Sequence, residues 1–244
     1  MVEKVIQIHL EKVNSTNTYA KENYSRFDRN KITRITADEQ TAGRGRLNRN
    51  WVSPKEKNIY LTYFFTPAKK VIEINNIAQI LALSITKLLT KLGLSPDIKW
   101  PNDVLVNGKK IAGILCETID LQPNFGVVLG TGGNVNMSEE TLDRIDRPAT
   151  SLVVEIGRQR ESTPLIKILE EFFLEDYHLY LKSGFQPFYA SYNALLTHKG
   201  KPITFEQNGR LISGTLHSLN PDGRLNVLSD HGRIQTLSSG EINN

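Results

Sequence analysis

The sequence predicts an α+β fold: a mixed/antiparallel sheet flanked by helices over residues 1–195, followed by a small all-β barrel over residues 196–244. Strand-like and helix-like runs interleave through the first part, with hairpin signals prevailing. After about Leu196 the pattern changes to short strands with turn signals at Asn208-Gly209, Asn220-Pro221-Asp222-Gly223 and Asp230-His231-Gly232, spaced by roughly ten residues. A length of 244 residues fits one large domain with a small appendage, or two unequal domains.

Val5 to Leu10 alternates as a strand does, and Asn14-Ser15-Thr16-Asn17 then offers N-cap side chains for a helix through Tyr19-Ala20-Lys21-Glu22. Ile32 to Thr36 is a short β-branched strand. Gln40 to Trp51 has neither period and is rich in glycine and arginine, which marks a functional loop. Ile59 to Phe65 is an aromatic strand, and Ile77, Leu81, Ile85, Leu88 and Leu92 recur at helical steps up to Gly93. Asn107-Gly108 is a pair that tight hairpins prefer, because both turn positions need positive φ, so Lys109 and Lys110 begin a return strand. Phe125 to Gly130 reads as a buried strand running into a Thr131-Gly132-Gly133-Asn134 turn, and Thr163-Pro164 opens an amphipathic helix to about Lys182.

A hydrophobic fraction of 39% and a charged fraction of 23% exclude a disordered or fibrous chain. The net charge of +4 and pI near 9.0 admit anionic partners but lack the excess of a DNA-coating protein. Between Lys31 and Lys57 seven basic residues stand against three acidic ones, a local excess equal to the net charge of the whole chain. The single cysteine, Cys116, forbids an intrachain disulfide, and five scattered histidines form no pair at metal-ligand spacing. No apolar run reaches the roughly 18 residues of a membrane span, and no signal-peptide core opens the chain. A cytoplasmic protein without a membrane partner is expected.

Gly43-Arg44-Gly45-Arg46 combines glycines that let backbone N–H groups approach a ligand with arginines able to make paired hydrogen bonds to phosphate or carboxylate. Neither nucleotide fingerprint is complete, since no further glycine and no Gly-Lys-Ser/Thr ending follows; a solvated turn is the alternative. Lys110 beside a hairpin turn can equally be a solubilising charge. Lys99-Trp100-Pro101-Asn102-Asp103 sets a cation, a large aromatic and two polar groups where proline stiffens the chain, or is a plain strand-to-loop corner. Cys116 reads as a packed small hydrophobe, and for the Gly130 to Gly133 loop a tight turn is the alternative.

In order and spacing, this set resembles the bacterial biotin protein ligase family. The match runs from Ser15-Thr16-Asn17 and Gln40 through Gly43-Arg44-Gly45-Arg46 with Trp51, Lys99-Trp100-Pro101-Asn102-Asp103 and Lys110-Ile111-Ala112-Gly113-Ile114-Leu115 to Gly130-Thr131-Gly132-Gly133-Asn134. The resemblance implies a class II synthetase-like catalytic core with a C-terminal SH3-like β-barrel. It also implies adenylation of biotin by ATP to biotinyl-5′-AMP, then transfer to a lysine on the biotin carboxyl carrier domain of a carboxylase. Lys110 and Arg44 would be catalytic. Ser15, Thr16, Asn17, Gln40, Gly43, Arg44, Gly45, Arg46, Lys110 and Gly113 would bind biotin. Arg44, Arg46, Arg49, Trp51, Lys99, Asn102, Lys110 and Asn134 would bind ATP, and Mg²⁺ would arrive with the nucleotide, with Asp103 as a ligand.

Two departures bear on loop shape. Asn48 stands where the family has glycine, and asparagine tolerates positive φ; Gly133 replaces a branched residue. Many family members carry an N-terminal helix-turn-helix domain, whereas this sequence begins almost directly with the catalytic core; a monofunctional ligase without DNA binding or repression is expected, and a homodimer is admitted. The rivals are a lipoate-protein ligase or an octanoyl transferase working through Cys116, and, outside enzymes, a basic nucleic-acid-binding module.

Overall fold

The computed structural model describes residues 5–67, 73–207, 210–229, 231–238, 240 and 242–243. In chain order the elements are β1 (Ile6–Val13), α1 (Thr16–Asn23), β2 (Thr33–Gln40), β3 (Asn58–Phe65), α2 (Ile74–Lys91), β4 (Pro96–Lys99), β5 (Asp103–Val106), β6 (Lys109–Leu121), β7 (Asn124–Asn134), α3 (Glu139–Leu142), α4 (Leu152–Ile156), α5 (Ser162–Ser183), α6 (Tyr189–Leu195), β8 (Pro202–Gln207), β9 (Arg210–Leu219), β10 (Leu225–Leu228), β11 (Ile234–Leu237) and β12 (Ile242–Asn243). They form two compact units, Met1–Ile74 with Lys109–Lys167, and Asn75–Gly108 with Ile168–Asn244.

In the first unit the strands lie in the order β1-β2-β3-β7-β6. β1 and β2 are parallel, because α1 carries the chain back across the sheet, and the remaining pairs are antiparallel. β2 is longer than the β-branched run suggests. Its polar half, Ala37 to Gln40, stays extended because it keeps register with β1, down to Val13 opposite Gln40, with Lys12 and Glu39 ion-paired at 3.0 Å. β3 is buried along its whole length, as its continuous apolar and aromatic sequence requires. On one face Ala20 of α1, Ile35, Phe64, Leu121 and Val128 form a core cluster that Phe27 closes, its ring centroid 5.3 Å from that of Phe64.

One expectation needs correcting: Thr131 to Asn134 do not turn. β7 continues through them, pairing Gly133 with Ile59 and Gly132 with Tyr60. These glycines serve close approach by other side chains rather than a bend.

In the second unit α2 ends as the sequence predicts, with Gly93 at φ 86 and Leu94 N–H bonded to Leu89 O at 3.1 Å. On α5 the buried carboxylate of Asp176 accepts from Ser84 Oγ at 2.9 Å and pairs with Lys87. β4 and β5 form a hairpin around Trp100-Pro101-Asn102. The C-terminal strands make an antiparallel sheet in the order β11-β10-β9-β8-β12. The Asn220-Pro221-Asp222-Gly223 turn is present, whereas Asn208-Gly209 and Asp230 lie outside the described residues. Gly223 at φ 86 lies against α2: its carbonyl accepts from Gln79 Nε2 at 2.8 Å and from Trp100 Nε1 at 3.1 Å, and Asp222 O accepts from Asn76 Nδ2 at 2.9 Å. Trp100 is thus a buried fixing point of this unit.

Candidate active site

The arginine-glycine segment is better ordered than its aperiodic sequence suggests. It leaves the end of β2 and folds back on itself: Trp51 N–H bonds to Gly43 O at 2.9 Å, Arg44 and Asn50 bridge, and Gly45 N–H bonds to Arg49 O at 2.7 Å. Arg46–Asn48 form the tip. Left-handed backbone, expected at Asn48, falls instead on Leu47 at φ 53, although a β-carbon there costs about 1–2 kcal/mol. Leu47 is 65% exposed, with Arg46 and Arg49 on either side of the tip. Gly43 is required for contact rather than torsion, because a Cβ would stand 2.5 Å from Ser53 Oγ and 2.6 Å from Trp51 O.

Beneath this loop a hydrogen-bond chain connects three elements. Gln40 Oε1 accepts from Thr16 N–H at 2.9 Å and from Thr16 Oγ1 at 3.2 Å, while Gln40 Nε2 donates to Ser53 Oγ at 3.0 Å, which donates to Trp51 O. Thr62 Oγ1 stands 2.8 Å from Thr16 Oγ1 and 2.7 Å from Asn17 Oδ1. Asn17 Nδ2 donates to Leu115 O at 3.2 Å and to Glu117 Oε2 at 3.0 Å, so the buried amide is held at both ends. A Cβ on Gly130 would collide with Asn17 Oδ1. Ser15 precedes α1 without a capping bond from its side chain, and is buried.

Glu117 gathers the charges. Lys21 Nζ lies 2.7 Å from Oε1, and the Arg44 terminal nitrogen 3.3 Å from Oε2. Burial alone would raise this carboxyl. Hydrogen bonds from Lys21 and Asn17, with the charges of Lys21 and Arg44, hold it below the ordinary value instead. Arg44 Nε is buried without a hydrogen-bond partner.

On the other side of the loop, Trp51 lies over β6 and β7. A Cβ on Gly132 would run into its indole, and one on Gly113 would stand 2.8 Å from Lys110 Cε and 3.2 Å from Trp51 Cζ3. Lys110 Nζ sits 5.3 Å from the Trp51 ring centroid, a cation–π distance, and its backbone is fixed by Lys110 N–H to Pro148 O and Thr150 N–H to Lys110 O. Trp51 Nε1 is buried without a hydrogen-bond partner. The turn before Lys110 has the expected left-handed residues, Asn107 at φ 51 and Gly108 at φ 74.

The first unit therefore links Thr16, Asn17, Gln40, Gly43, Arg44, Trp51, Lys110 and Gly113 through contiguous contacts. Asn134 is buried one strand-end away, its Nδ2 donating to Thr150 O at 2.9 Å and its Oδ1 facing Asn58. Lys99, Asn102 and Asp103 belong to the second unit, with Lys99 opposite Asp103 in the β4–β5 hairpin. Sequence reasoning missed Glu117, Thr62 and Ser53. An acid interrupting the Ile-Leu-Cys run of β6 was the one available signal; two hydroxyl residues in ordinary strand and loop contexts offered none. Cys116, next to Glu117, has its thiol pushed up to about 12 by burial and, secondarily, by the Glu117 charge. Among the described residues no three His, Cys, Asp or Glu side chains are placed to hold a metal ion, and no helix is long and apolar enough to cross a membrane.

The sequence profile of the biotin/lipoate A/B protein ligase family matches residues 10–134, the stretch that contains all of these contacts except those at Pro148 and Thr150. The chain belongs to this family. Among its relatives, the bifunctional ligase/repressor BirA of Bacillus spizizenii is 32% identical over 217 residues, covering 86% of this chain and 65% of that protein. The biotin–(acetyl-CoA-carboxylase) ligase of Mycobacterium tuberculosis is 31% identical over 222 residues, covering 85% and 77%. The chain thus spans about two thirds of the BirA relatives' length. A solved family structure, the Aquifex aeolicus biotin protein ligase in complex with biotin and ATP, superposes with a TM-score of 0.83 at 27% identity, covering 98% of this chain and 97% of that one. The α+β ligase fold expected from the sequence is the fold of this chain.

Proposed function

We propose that this chain activates biotin with ATP, forming biotinyl-5′-AMP and pyrophosphate, and transfers the biotinyl group to a lysine of a biotin carboxyl carrier domain. The observation that carries this reading is the run of contiguous contacts that sets two cations on the two sides of one loop, Arg44 against Glu117 and Lys110 over Trp51, with a neutral hydrogen-bonding network around Thr16 and Gln40 at the loop's base. A carboxylate attacking an α-phosphate is opposed by about 4 kcal/mol per unit-charge pair at 4 Å for an effective dielectric near 20. Fixed cations offset that repulsion and stabilise charge as it builds. Lys110 bridges carboxylate and phosphate oxygens, and Arg44 steadies both.

The ureido end of biotin is neutral and needs donors and acceptors, which Ser15, Thr16, Asn17 and Gln40 supply. Because Asn17 is already engaged with Glu117 and Leu115, it acts chiefly by shaping that end. Trp51, with its indole N–H buried and unbonded, offers a face for adenine, and Arg46 and Arg49 at the loop cover the phosphates. For Lys99, Asn102 and Asn134 as nucleotide residues the support is the sequence motif. Mg²⁺ would be held through Asp103, since this ion is commonly bound through one or two carboxylates together with substrate phosphates, and it would neutralise phosphate charge.

The test is ATP–pyrophosphate exchange with biotin, lipoate or octanoate as the only added acid. Stimulation by biotin alone supports the reading, and stimulation by lipoate or octanoate replaces it with the lipoyl-type alternative. The high Cys116 pKa weighs against an octanoyl transferase, which needs a thiolate. Retention on nucleic acid without exchange would point to the binding-module alternative.

A further inference from the structure

We propose that Glu117 is a positioning residue for activation: it orients Arg44 toward the reacting groups and ties that orientation to the α1 end of the site. This rests on the ligase reading above. Glu117 lies on β6, and the groups that reach it come from two other segments: Asn17 and Lys21 from α1, and Arg44 from the loop after β2. Each of its oxygens is used, Oε1 by Lys21 at 2.7 Å and Oε2 by Asn17 at 3.0 Å, with Arg44 spanning both at 3.5 and 3.3 Å.

Such an arrangement does more than neutralise a buried acid. One lysine at 2.7 Å would suffice for that. Arginine carries a long, rotamer-rich stem with a rigid fork at its end, so fixing one terminal nitrogen sets the direction of the remaining donors. Here one terminal nitrogen is fixed while Nε remains buried without a hydrogen-bond partner. The same carboxylate holds Asn17, which through Thr62 touches Thr16 and hence Gln40. Glu117 therefore sets where the Arg44 charge stands relative to the segment proposed to read the neutral end of the substrate.

The experiment is a double-mutant cycle on purified full-length protein. Exchange with biotin and equilibrium binding of a non-hydrolysable biotinyl-sulfamoyl adenosine are measured for wild type, Glu117→Gln, Arg44→Ala and the double variant, with thermal melts to establish folding. Glu117→Gln is expected to slow exchange by about tenfold or more, a loss typical of a misplaced catalytic group. In the Arg44→Ala background the same substitution should cost at most about a third of what it costs in wild type, because the part routed through Arg44 is already gone and only the part that reaches the site through Asn17 is left. Glu117→Asp, which keeps the charge on a shorter stem, should fall between wild type and Glu117→Gln; it also serves for the cycle if the amide variant does not fold. Unchanged exchange in Glu117→Gln, or an equal loss in both backgrounds, overturns the inference while leaving the ligase reading intact. Absence of biotin-stimulated exchange in folded wild type overturns both.

Discussion

The indole of Trp51 fills the space that a side chain on Gly132 would need, since a Cβ there would meet Nε1 and Cε2 of the ring. The family motif around Gly130 to Asn134 is thereby explained by contact: β7 is bare where Trp51 and Asn17 lie across it. Gly132→Ala should keep the strand, whose backbone there does not have positive φ, but displace the indole. Loss of about tenfold or more in adenylate affinity, with a shifted tryptophan emission and a cooperative melt, is the expected result. Unchanged affinity in a folded variant would dissociate Trp51 from nucleotide binding.

The Lys110 side chain lies across Gly113 beside Trp51: a Cβ on Gly113 would stand 2.8 Å from Lys110 Cε and 2.9 Å from its Nζ, which is 5.3 Å from the Trp51 ring centroid. Lys110→Arg keeps the charge and moves it. Misplacement on the scale of 1 Å costs about 100-fold in rate, and Lys110→Arg is expected to lose about that much in pyrophosphate exchange while retaining its fold. Near-normal exchange would remove Lys110 from the chemistry.

In the proposed reaction the intermediate is a reactive mixed anhydride, and the loop from Gln40 to Trp51 is expected to keep water from it until the acceptor lysine arrives. The loop base is bonded across Arg44 and Asn50, and its tip carries Arg46 beside exposed Leu47. Arg46→Gly is expected to release adenylate early and biotinylate bystander lysines, seen as biotin spread over an added non-carrier protein. Full retention of adenylate by the variant would contradict a covering role for the tip.

Most elements were readable because their signals are local. The helix around Ile77 to Leu92 and the Asn107-Gly108 turn depend on periodicity and on residues that tolerate positive φ, and both are found as predicted. The polar end of β2 was not readable, because Asp38 to Gln40 are extended by pairing with β1 rather than by their own preference. The Gly130 to Asn134 stretch was misread for a related reason. Glycine signals turns and close approaches alike, and which applies depends on Trp51 and Asn17, far away in sequence. In the site, residue types were legible but their partners were not: Arg44 and Asn17 stand out as motif residues, whereas Glu117 and Thr62, which hold them, do not.

Cys116 provides a pH test that also bears on the acyl-transfer rival. Its pKa is raised from an ordinary 9.0 to about 12, first by burial and then by the neighbouring Glu117 charge. The folded thiol stays protonated where the unfolded one ionises, so its contribution to stability is complete below about pH 9 and is lost as pH rises toward 12. Cys116→Ala should flatten the alkaline limb of the melting-temperature profile and leave exchange unchanged. Iodoacetamide should label the native protein slowly at pH 8 and the unfolded protein readily. Fast native labelling with loss of activity would restore the thiol as a nucleophile.

In the second unit, Gly223 must be both left-handed and bare. Its φ of 86 is unfavourable for any residue with a Cβ, and that atom would press on Gln79 Oε1 at 2.5 Å and Phe185 Cδ1 at 3.2 Å. The backbone penalty is about 1–2 kcal/mol. The displaced turn would also weaken the hydrogen bonds that Gln79 and Trp100 give to the Gly223 carbonyl, worth about 0.5–1.5 kcal/mol each. Gly223→Ala should therefore destabilise the protein by about 2–4 kcal/mol in urea. Trp100→Phe, which removes one donor but keeps most of the buried ring, should cost less than half as much. If Gly223→Ala unfolds at the wild-type midpoint, the turn does not fix the Trp100 corner, and Lys99, Asn102 and Asp103 owe their placement to the β4–β5 hairpin alone.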